Sequence, residues 1–156
     1  MLNFKKKVIL YLYAEVMGYT ISTIEELCKL GFEIHIVHWD RKKLSSYVID
    51  TNFKIFLYNR SEYNSKKIKD LVNSIQPTIT VLSGWMDLEY LKVAYHLRKN
   101  HQKVVCALDT QWRGTLKQKF GAFIARKIIL KRFYTNAWIS GYYQFEYAKN
   151  LGFKND

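Results

Sequence analysis

Short apolar runs alternate with segments of helical period along nearly the whole chain, and this alternation restricts the possible folds more than any other feature. Continuous apolar runs of this length are typical of strands buried on both faces of a parallel sheet. Apolar residues spaced i, i+3, i+4 and i+7 indicate amphipathic helices between them. The predicted strands are 7–13, 33–39, 53–58, 78–82, 103–108 and 134–139. Alternating strands and helices predict a Rossmann-like, three-layer α/β/α fold with a mainly parallel sheet.

Each predicted helix presents an apolar stripe to this sheet. The helices are expected before Gly31, at about 65–75, 87–99 and 116–131, and in a last segment that reaches Leu151. For the helix at 87–99 the inward residues are predicted to be Leu88, Leu91, Ala94 and Tyr95. A chain of 156 residues fits one domain. We therefore expect a single Rossmann-like domain over 1–156.

Polar, glycine-bearing loops follow four of the predicted strands. Ligands of parallel α/β sheets bind beyond the carboxyl ends of the strands, so these loops hold the candidate site. A glycine such as Gly18 lets a ligand approach the backbone, and the helix N-terminus after it favours an anion. No G-x-G-x-x-G pattern is present there, so an ordinary dinucleotide site is not expected. The candidate binding residues are Glu15, Gly18, Tyr19, Gly84, Trp85, Asp87, Gln111, Trp112, Arg113, Gly141 and Gln144.

The richest loop is 109–114, which offers a carboxylate, an amide, an indole and a guanidinium within five residues. Asp109 is the candidate catalytic residue, because a carboxylate at a parallel-strand end can act as general base on an acceptor hydroxyl. The same carboxylate suits a capping role in the following turn, and the sequence leaves both roles open. Trp85 has two interpretations as well, stacking on a sugar ring or packing at the rim of the sheet.

The charge balance is strongly basic, with 25 Lys and Arg against 13 Asp and Glu and a formal net charge of +12. This balance permits anionic lipid, nucleic acid or phosphorylated molecules as partners. The sequence carries no named nucleic-acid-binding motif, which argues against nucleic acid. The helix at 116–131 mixes Lys and Arg with Phe and Ile, so it is either a helix for an anionic membrane surface or a packed helix with solvated cations.

Cys28 and Cys106 fall on a predicted helix face and in a predicted strand, and both are expected to be buried, reduced thiols. Reduced thiols indicate a cytoplasmic protein. The histidines and cysteines are not spaced as metal ligands, so neither a metal nor another cofactor is expected. The longest apolar runs have the length of strands, which is too short for a membrane span. Any membrane contact is therefore expected to be peripheral, on the inner face.

Three segments together resemble a known family. They are Val8–Tyr13 with Gly18 and a helix ending in Leu30-Gly31-Phe32, then Asp109–Gly114, and then Trp138–Phe153 with its Leu-Gly-Phe ending. In these segments the chain resembles the N-terminal domain of family 4 glycosyltransferases of the GT-B type. Two positions depart from that pattern. Met17 stands where the family often has a second glycine, and Asp109 stands where many members have a histidine.

The resemblance implies a metal-independent hexosyltransferase of surface polysaccharide synthesis, which moves a sugar from a nucleotide-sugar donor to a glycan or lipid-linked acceptor. This chain would be the acceptor-binding half. The C-terminal domain that binds the nucleotide sugar would be absent from it and would be its partner. The half on its own is then expected to have little transferase activity.

The alternative function is non-enzymatic. A basic Rossmann-like or flavodoxin-like module with this charge could bind nucleic acid or another polyanion. Steep salt dependence would identify such a module, because each neutralised phosphate releases counterions.

Overall fold

The computed structural model describes residues 7–39 and 52–153, apart from the side chains of Ile129 and Lys131. The described strands are β1 (Val8–Tyr13), β2 (Glu33–His38), β3 (Ile55–Asn59), β4 (Ile79–Leu82), β5 (Lys103–Leu108) and β6 (Asn136–Ile139). The described helices are α1 (Gly18–Lys29), α2 (Ser65–Ile75), α3 (Leu88–Lys99), α4 (Leu116–Ile124), α5 (Leu130–Phe133) and α6 (Tyr142–Leu151). The strands form a six-stranded parallel sheet in the order β3-β2-β1-β4-β5-β6. The predicted Rossmann-like α/β fold is confirmed.

The chain divides into two compact units, Met1–Val81 and Leu82–Asp156. In the first unit, β1 pairs with β2 and β2 pairs with β3, both in parallel. All six residues of β1 are buried, as expected of a strand that is apolar on both faces. Helices α1 and α2 each bury a short aliphatic stripe. These stripes are Ile21 with Ile24, and Ile68 with Val72.

In the second unit, β5 and β6 pair in parallel, with Val105 opposite Asn136. Helix α3 begins after Asp87, whose carboxylate accepts hydrogen bonds from the backbone N–H groups of Glu89 and Tyr90. The core face of α3 consists of Tyr90, Val93, Ala94 and Leu97. The predicted face was wrong for Leu88 and Tyr95, which are exposed. Two apolar stripes compete on this helix, and the one that starts at Tyr90 packs inward.

Helices α1 and α6 end in the same motif. Gly31 and Gly152 have φ angles of +84° and +99°, which favour glycine. The next residue of each, Phe32 or Phe153, donates its backbone N–H to the carbonyl five residues earlier, at 3.1 Å in both cases. This is the Schellman arrangement, in which a hydrophobic residue commonly follows the glycine.

The helix predicted at 116–131 runs instead from Leu116 to Phe133 and is not uniform. A π-helical segment, Ala125–Ile129, separates α4 from α5. Helix α4 begins at a side-chain cap, because the hydroxyl of Thr115 accepts a hydrogen bond from the N–H of Gln118 at 3.3 Å. Within residues 7–39 and 52–153, no helix combines the length and apolarity needed to cross a bilayer.

Candidate functional site

The loop between β5 and α4, residues 109–115, is folded around a single glutamine side chain. The carboxamide oxygen of Gln118 accepts the backbone N–H of Arg113 at 2.7 Å, and its nitrogen donates to the carbonyl of Gln111 at 2.8 Å. Gln118 therefore ties two points of the loop to the first turn of α4. The side chains of Asp109, Gln111 and Arg113 remain exposed to solvent.

Helix α6 holds the same loop from a second side. The side-chain nitrogen of Gln144 donates to the carbonyl of Asp109 at 3.1 Å. The backbone N–H of Trp112 donates to the carbonyl of Tyr143 at 3.4 Å. Because both contacts use backbone atoms of the loop, they fix its path without engaging the Asp109 carboxylate or the Arg113 guanidinium.

An aromatic cluster of Trp85, Trp112 and Tyr147 supports this arrangement. The ring of Trp112 lies 5.6 Å from that of Tyr147, and Trp85 meets Tyr147 edge-on at 6.5 Å. Burial raises the pKa of Tyr147, with the nearby Cys106 thiol adding to the effect. Trp85 and Trp112 thus both have a packing role in this structure.

An open cavity of about 600 Å³ lies over the loop. All six of its lining residues are of polar type, and together they offer a carboxylate, a guanidinium, a hydroxyl and three carboxamides. The lining residues are Asp109, Thr110, Gln111, Arg113, Gln118 and Gln144. Such a set can neutralise an anion at Arg113 and both donate to and accept from hydroxyl groups.

Beyond the end of β4, Gly84 adopts a φ of +75°, and its carbonyl accepts the hydroxyl proton of Tyr134 at 2.5 Å. Tyr134 lies beside the Cys106 thiol. Burial raises the pKa of Cys106 to about 12 and also raises the pKa of Tyr134. Both groups are therefore neutral near pH 7, which makes Cys106 a poor nucleophile.

The structure brings one group of predicted residues together in the second unit. Asp109, Gln111, Arg113 and Gln144 line the cavity, and Gly141 directly precedes α6. Asp87 has a different place, as the cap of α3. Trp85 and Trp112 belong to the aromatic cluster, and Gly84 lies beyond the end of β4. The last three predicted residues lie in the first unit, at the β1–α1 connection, and are Glu15, Gly18 and Tyr19.

Two cavity residues, Thr110 and Gln118, were not predicted. A signal for Gln118 does exist in the sequence, because Thr115-Leu-Lys-Gln118 has the S/T-x-x-E/Q spacing of a capping box. As in a capping box, the backbone N–H of Gln118 donates to the hydroxyl of Thr115. The side chain of Gln118, however, bonds to the loop instead of to the backbone N–H of Thr115. Thr110 offers no such signal.

The first unit contains a buried polar network, centred on His35. Its ring nitrogens contact the hydroxyl of Tyr58 at 2.8 Å and the carboxylate of Glu33 at 2.9 Å, and its ring stacks on Phe56 at 4.7 Å. The network lies near the start of β2, away from the strand's carboxyl end, so we assign it a structural role. Among residues 7–39 and 52–153, no group of three or more His, Cys, Asp or Glu side chains could hold a metal ion.

No protein-family model matches the sequence, and no curated protein matches it. Solved structures do match. The Bordetella bronchiseptica enzyme WbmG in complex with NAD is 13% identical, with a TM-score of 0.49 over 69% of this chain, which spans 39% of the length of WbmG. A short chain dehydrogenase from Leptospira borgpetersenii with bound NAD+ is 12% identical, with a TM-score of 0.45 over 94% of this chain and 77% of the other. At these values the likeness extends to the fold alone.

These matches correct the prediction of a GT-B glycosyltransferase. The similar structures are Rossmann-type proteins with bound NAD, so the predicted family, acceptor-binding function and hexosyltransferase activity were wrong, as was the link to polysaccharide synthesis. The reason for the error is physical. Two of the three segments that carried the resemblance end in Leu30-Gly31-Phe32 and Leu151-Gly152-Phe153, and both of these are Schellman endings, which occur in helices of many folds.

The β1–α1 connection does not fit the pyrophosphate of a dinucleotide. Ordinary dinucleotide loops use three glycines for the turn and for close approach of the phosphates. Here residues 14–17 contain no glycine, Glu15 places an exposed carboxylate in the connection, and the Val16 side chain is buried. Met17 caps α1 without a side-chain hydrogen bond.

Proposed function

We propose that this chain is a nucleotide-binding Rossmann-like domain that holds a nucleoside phosphate in the cavity beyond β5. The strand order β3-β2-β1-β4-β5-β6 is the order of nucleotide-binding Rossmann sheets, and their ligands bind beyond the carboxyl ends of the strands. The observation that carries the proposal is the cavity, which collects the guanidinium of Arg113 and the carboxylate of Asp109 over a loop fixed by its backbone.

Arg113 is the natural partner of the phosphate. A guanidinium presents several N–H groups in a planar fork and binds phosphate with two parallel hydrogen bonds. Its side chain is exposed while its backbone N–H is bonded to Gln118, so the loop is fixed and the side chain can turn toward a ligand. Asp109, as a carboxylate acceptor, suits the hydroxyl groups of a ribose.

Two tyrosines next to the cavity suit the base. Tyr142 and Tyr143 are both exposed, at 74% and 63%, and meet edge-on at 6.1 Å. The carbonyl of Tyr143 accepts the Trp112 N–H, so this aromatic pair directly adjoins the loop. Stacking of a base on an aromatic ring tolerates any base, because every base has a π face. Phosphate, ribose and base thus each have a matching group in the second unit.

The proposal includes a cytoplasmic site of action. Cys28 and Cys106 are free thiols in this structure, and Cys106 is buried. Contact with the inner membrane face is part of the same proposal, and the surface that would make this contact is argued in the next subsection.

Isothermal titration calorimetry with ADP, UDP, adenosine and ribose 5-phosphate tests the proposal. We expect the two diphosphates to bind with Kd values of about 10 μM to 1 mM, the weak range typical of an open site. Adenosine lacks the phosphate and should bind about tenfold or more weakly. Ribose 5-phosphate lacks the base and should fall between them.

Two results would contradict the proposal. One is the absence of heat for every nucleotide at millimolar concentration, with the protein shown to be folded by circular dichroism. The other is equal affinity for ADP and adenosine, because the phosphate would then make no contact with Arg113.

A further inference from the structure

The helix from Leu116 to Phe133 is basic along its whole length. It carries no Asp or Glu, whereas its basic residues are Lys117, Lys119, Arg126, Lys127, Lys131 and Arg132. It is also rich in large apolar residues. A helix that is both basic and apolar is either packed into a core or lies against a surface of opposite charge, and exposure distinguishes the two.

The side of this helix that packs inward is narrow and made mostly of small residues. Ala122 and Ala125 are buried, Gln118 is half-buried, and Leu130 continues the same line. Helices α4 and α6 are in contact within the second unit. The three positions 118, 122 and 125 have the i, i+4, i+7 spacing of one helical face.

The large apolar side chains lie on the opposite side, which we call the outer face. It consists of Leu116, Phe120, Phe123, Ile124 and Ile128, all exposed. The first two lie two positions before and after Gln118, a rotation of about 200° from the inward line. Leu116, Phe120 and Phe123 are 85%, 69% and 60% exposed. Exposed apolar patches of this kind mark surfaces that bind a protein or a membrane.

The π-helical segment keeps both faces aligned. Leu130 donates its N–H to the carbonyl of Ala125, five residues earlier, as π-helical geometry requires. In an uninterrupted α-helix, five residues from Ala125 would carry Leu130 well off the inward line. The wider turn returns Leu130 to the core and leaves Ile128 on the outer face with Phe123 and Ile124.

Cations border the outer face. Lys117 and Lys119 flank Leu116 and Phe120 at neighbouring positions, and both are exposed. The ammonium group of Lys127 lies 5.2 Å from the ring centre of Phe123. This pattern of bulky apolar groups with cations beside them matches the boundary of an anionic bilayer, where acyl chains and phosphates meet.

We propose that the outer face docks on an anionic lipid surface, with the Phe and Leu side chains inserted among the acyl chains and the lysines at the phosphates. Charge selects this partner over a second copy of the chain, because two such helices would bring like charges together. The helix would lie in the plane of the interface, and no part of it would cross the bilayer.

Co-sedimentation of the full chain with vesicles tests the docking. Vesicles of phosphatidylcholine with phosphatidylglycerol are compared with vesicles of phosphatidylcholine alone. We expect binding to the anionic vesicles, weakened by salt, and little binding to the neutral ones. Phe120→Ser with Phe123→Ser should lower the partition coefficient about tenfold or more, because two buried aromatic groups are lost. Lys117→Gln with Lys119→Gln should lower it about fivefold per lysine and reduce its salt dependence.

Leu30→Ser is the matched control, because Leu30 is 68% exposed and lies in the first unit. It should bind the vesicles as the unchanged chain does. The proposal is overturned if the unchanged chain ignores anionic vesicles, or if the double phenylalanine variant, folded by circular dichroism, binds them equally well. A dimer in analytical ultracentrifugation that these phenylalanine substitutions dissociate would also overturn it, since a second copy would then cover the outer face.

Discussion

The two compact units use their polar groups in opposite ways. In the first, His35 is buried and bonded to both Glu33 and Tyr58. In the second, the loop 109–115 bonds through its backbone and leaves Asp109 and Arg113 accessible. Polar groups that satisfy one another stabilise a fold, whereas polar side chains over a fixed backbone are available to a ligand. We therefore assign a stabilising role to the His35 network and a binding role to the loop 109–115, and four experiments test this assignment.

The largest effect is expected from His35→Ala. The substitution opens space inside the sheet and removes one partner each from Glu33 and Tyr58, so the free energy of unfolding should fall by about 3 kcal/mol. Urea denaturation followed by circular dichroism measures the change. His96→Ala is the control, because His96 is only partly buried on α3 and should cost no more than about 0.5 kcal/mol. If both variants lost the same free energy of unfolding, the His35 network would have no special role in stabilising the fold.

Arg113→Gln should leave stability unchanged and weaken ADP binding by about 2 kcal/mol, since a charge-assisted bond to phosphate is lost. Calorimetry measures the binding and thermal unfolding measures the stability. The reverse outcome, a less stable protein with normal affinity, would show that Arg113 stabilises the fold and does not contact the nucleotide.

Alkaline pH should act on the second unit through Cys106 and Tyr134, whose pKa values are raised by burial. The folded state holds these protons more tightly than the unfolded chain, so their contribution is complete below the ordinary Cys pKa of 9.0. It is lost as the pH rises toward about 12. Above pH 9 we expect Cys106 to lower stability by about 1.4 kcal/mol per pH unit, and Tyr134 to add a loss of the same size above its ordinary pKa of 10.0. Denaturation midpoints from pH 7 to 11 check this, and Cys106→Ala should flatten the decline.

The smallest effect is expected from Gly18→Ala, at the start of α1. If the nucleotide lies beyond β5, a methyl group at Gly18 should change ADP affinity by less than about twofold. It should also stabilise α1 slightly, because alanine is the better helix former by up to about 1 kcal/mol. A large loss of affinity would place the ligand at the β1–α1 connection instead. Isothermal titration calorimetry measures the ADP affinity, and urea denaturation measures the stability.

The sequence predicted the strands well where apolar runs were continuous, as in β5, which occupies 103–108 as expected. The prediction was poorer where tertiary contacts determine the end of a strand or the buried face of a helix. Strand β6 starts at Asn136 and not at Tyr134, because Tyr134 turns its hydroxyl to Gly84 and Thr135 bonds to the backbone of Val104. The inward face of α3 was mistaken because apolar residues lie on more than one side of that helix.

The candidate site was predictable as a region but not as a geometry. The rule that ligands bind at strand ends selected three residues of the loop after β5, Asp109, Gln111 and Arg113, together with Gln144 after β6. These four residues do line one cavity. The clamp by Gln118 depends on a loop conformation that no local pattern specifies. The family resemblance failed because Leu-Gly-Phe is a purely local pattern, which the geometry of a helix end explains without any shared family.

The π-helical segment Ala125–Ile129 makes the number of residues in its helix as important as their identity. A substitution there alters one side chain. Deletion of one residue there would leave Ala125 and Leu130 four residues apart, a spacing at which a regular α-helix keeps both on the core side. The same deletion between Leu116 and Ile124 would turn the residues before it by about 100° against those after it. The π-helical segment is therefore the place where this helix can lose a residue and still keep its inward and outer faces.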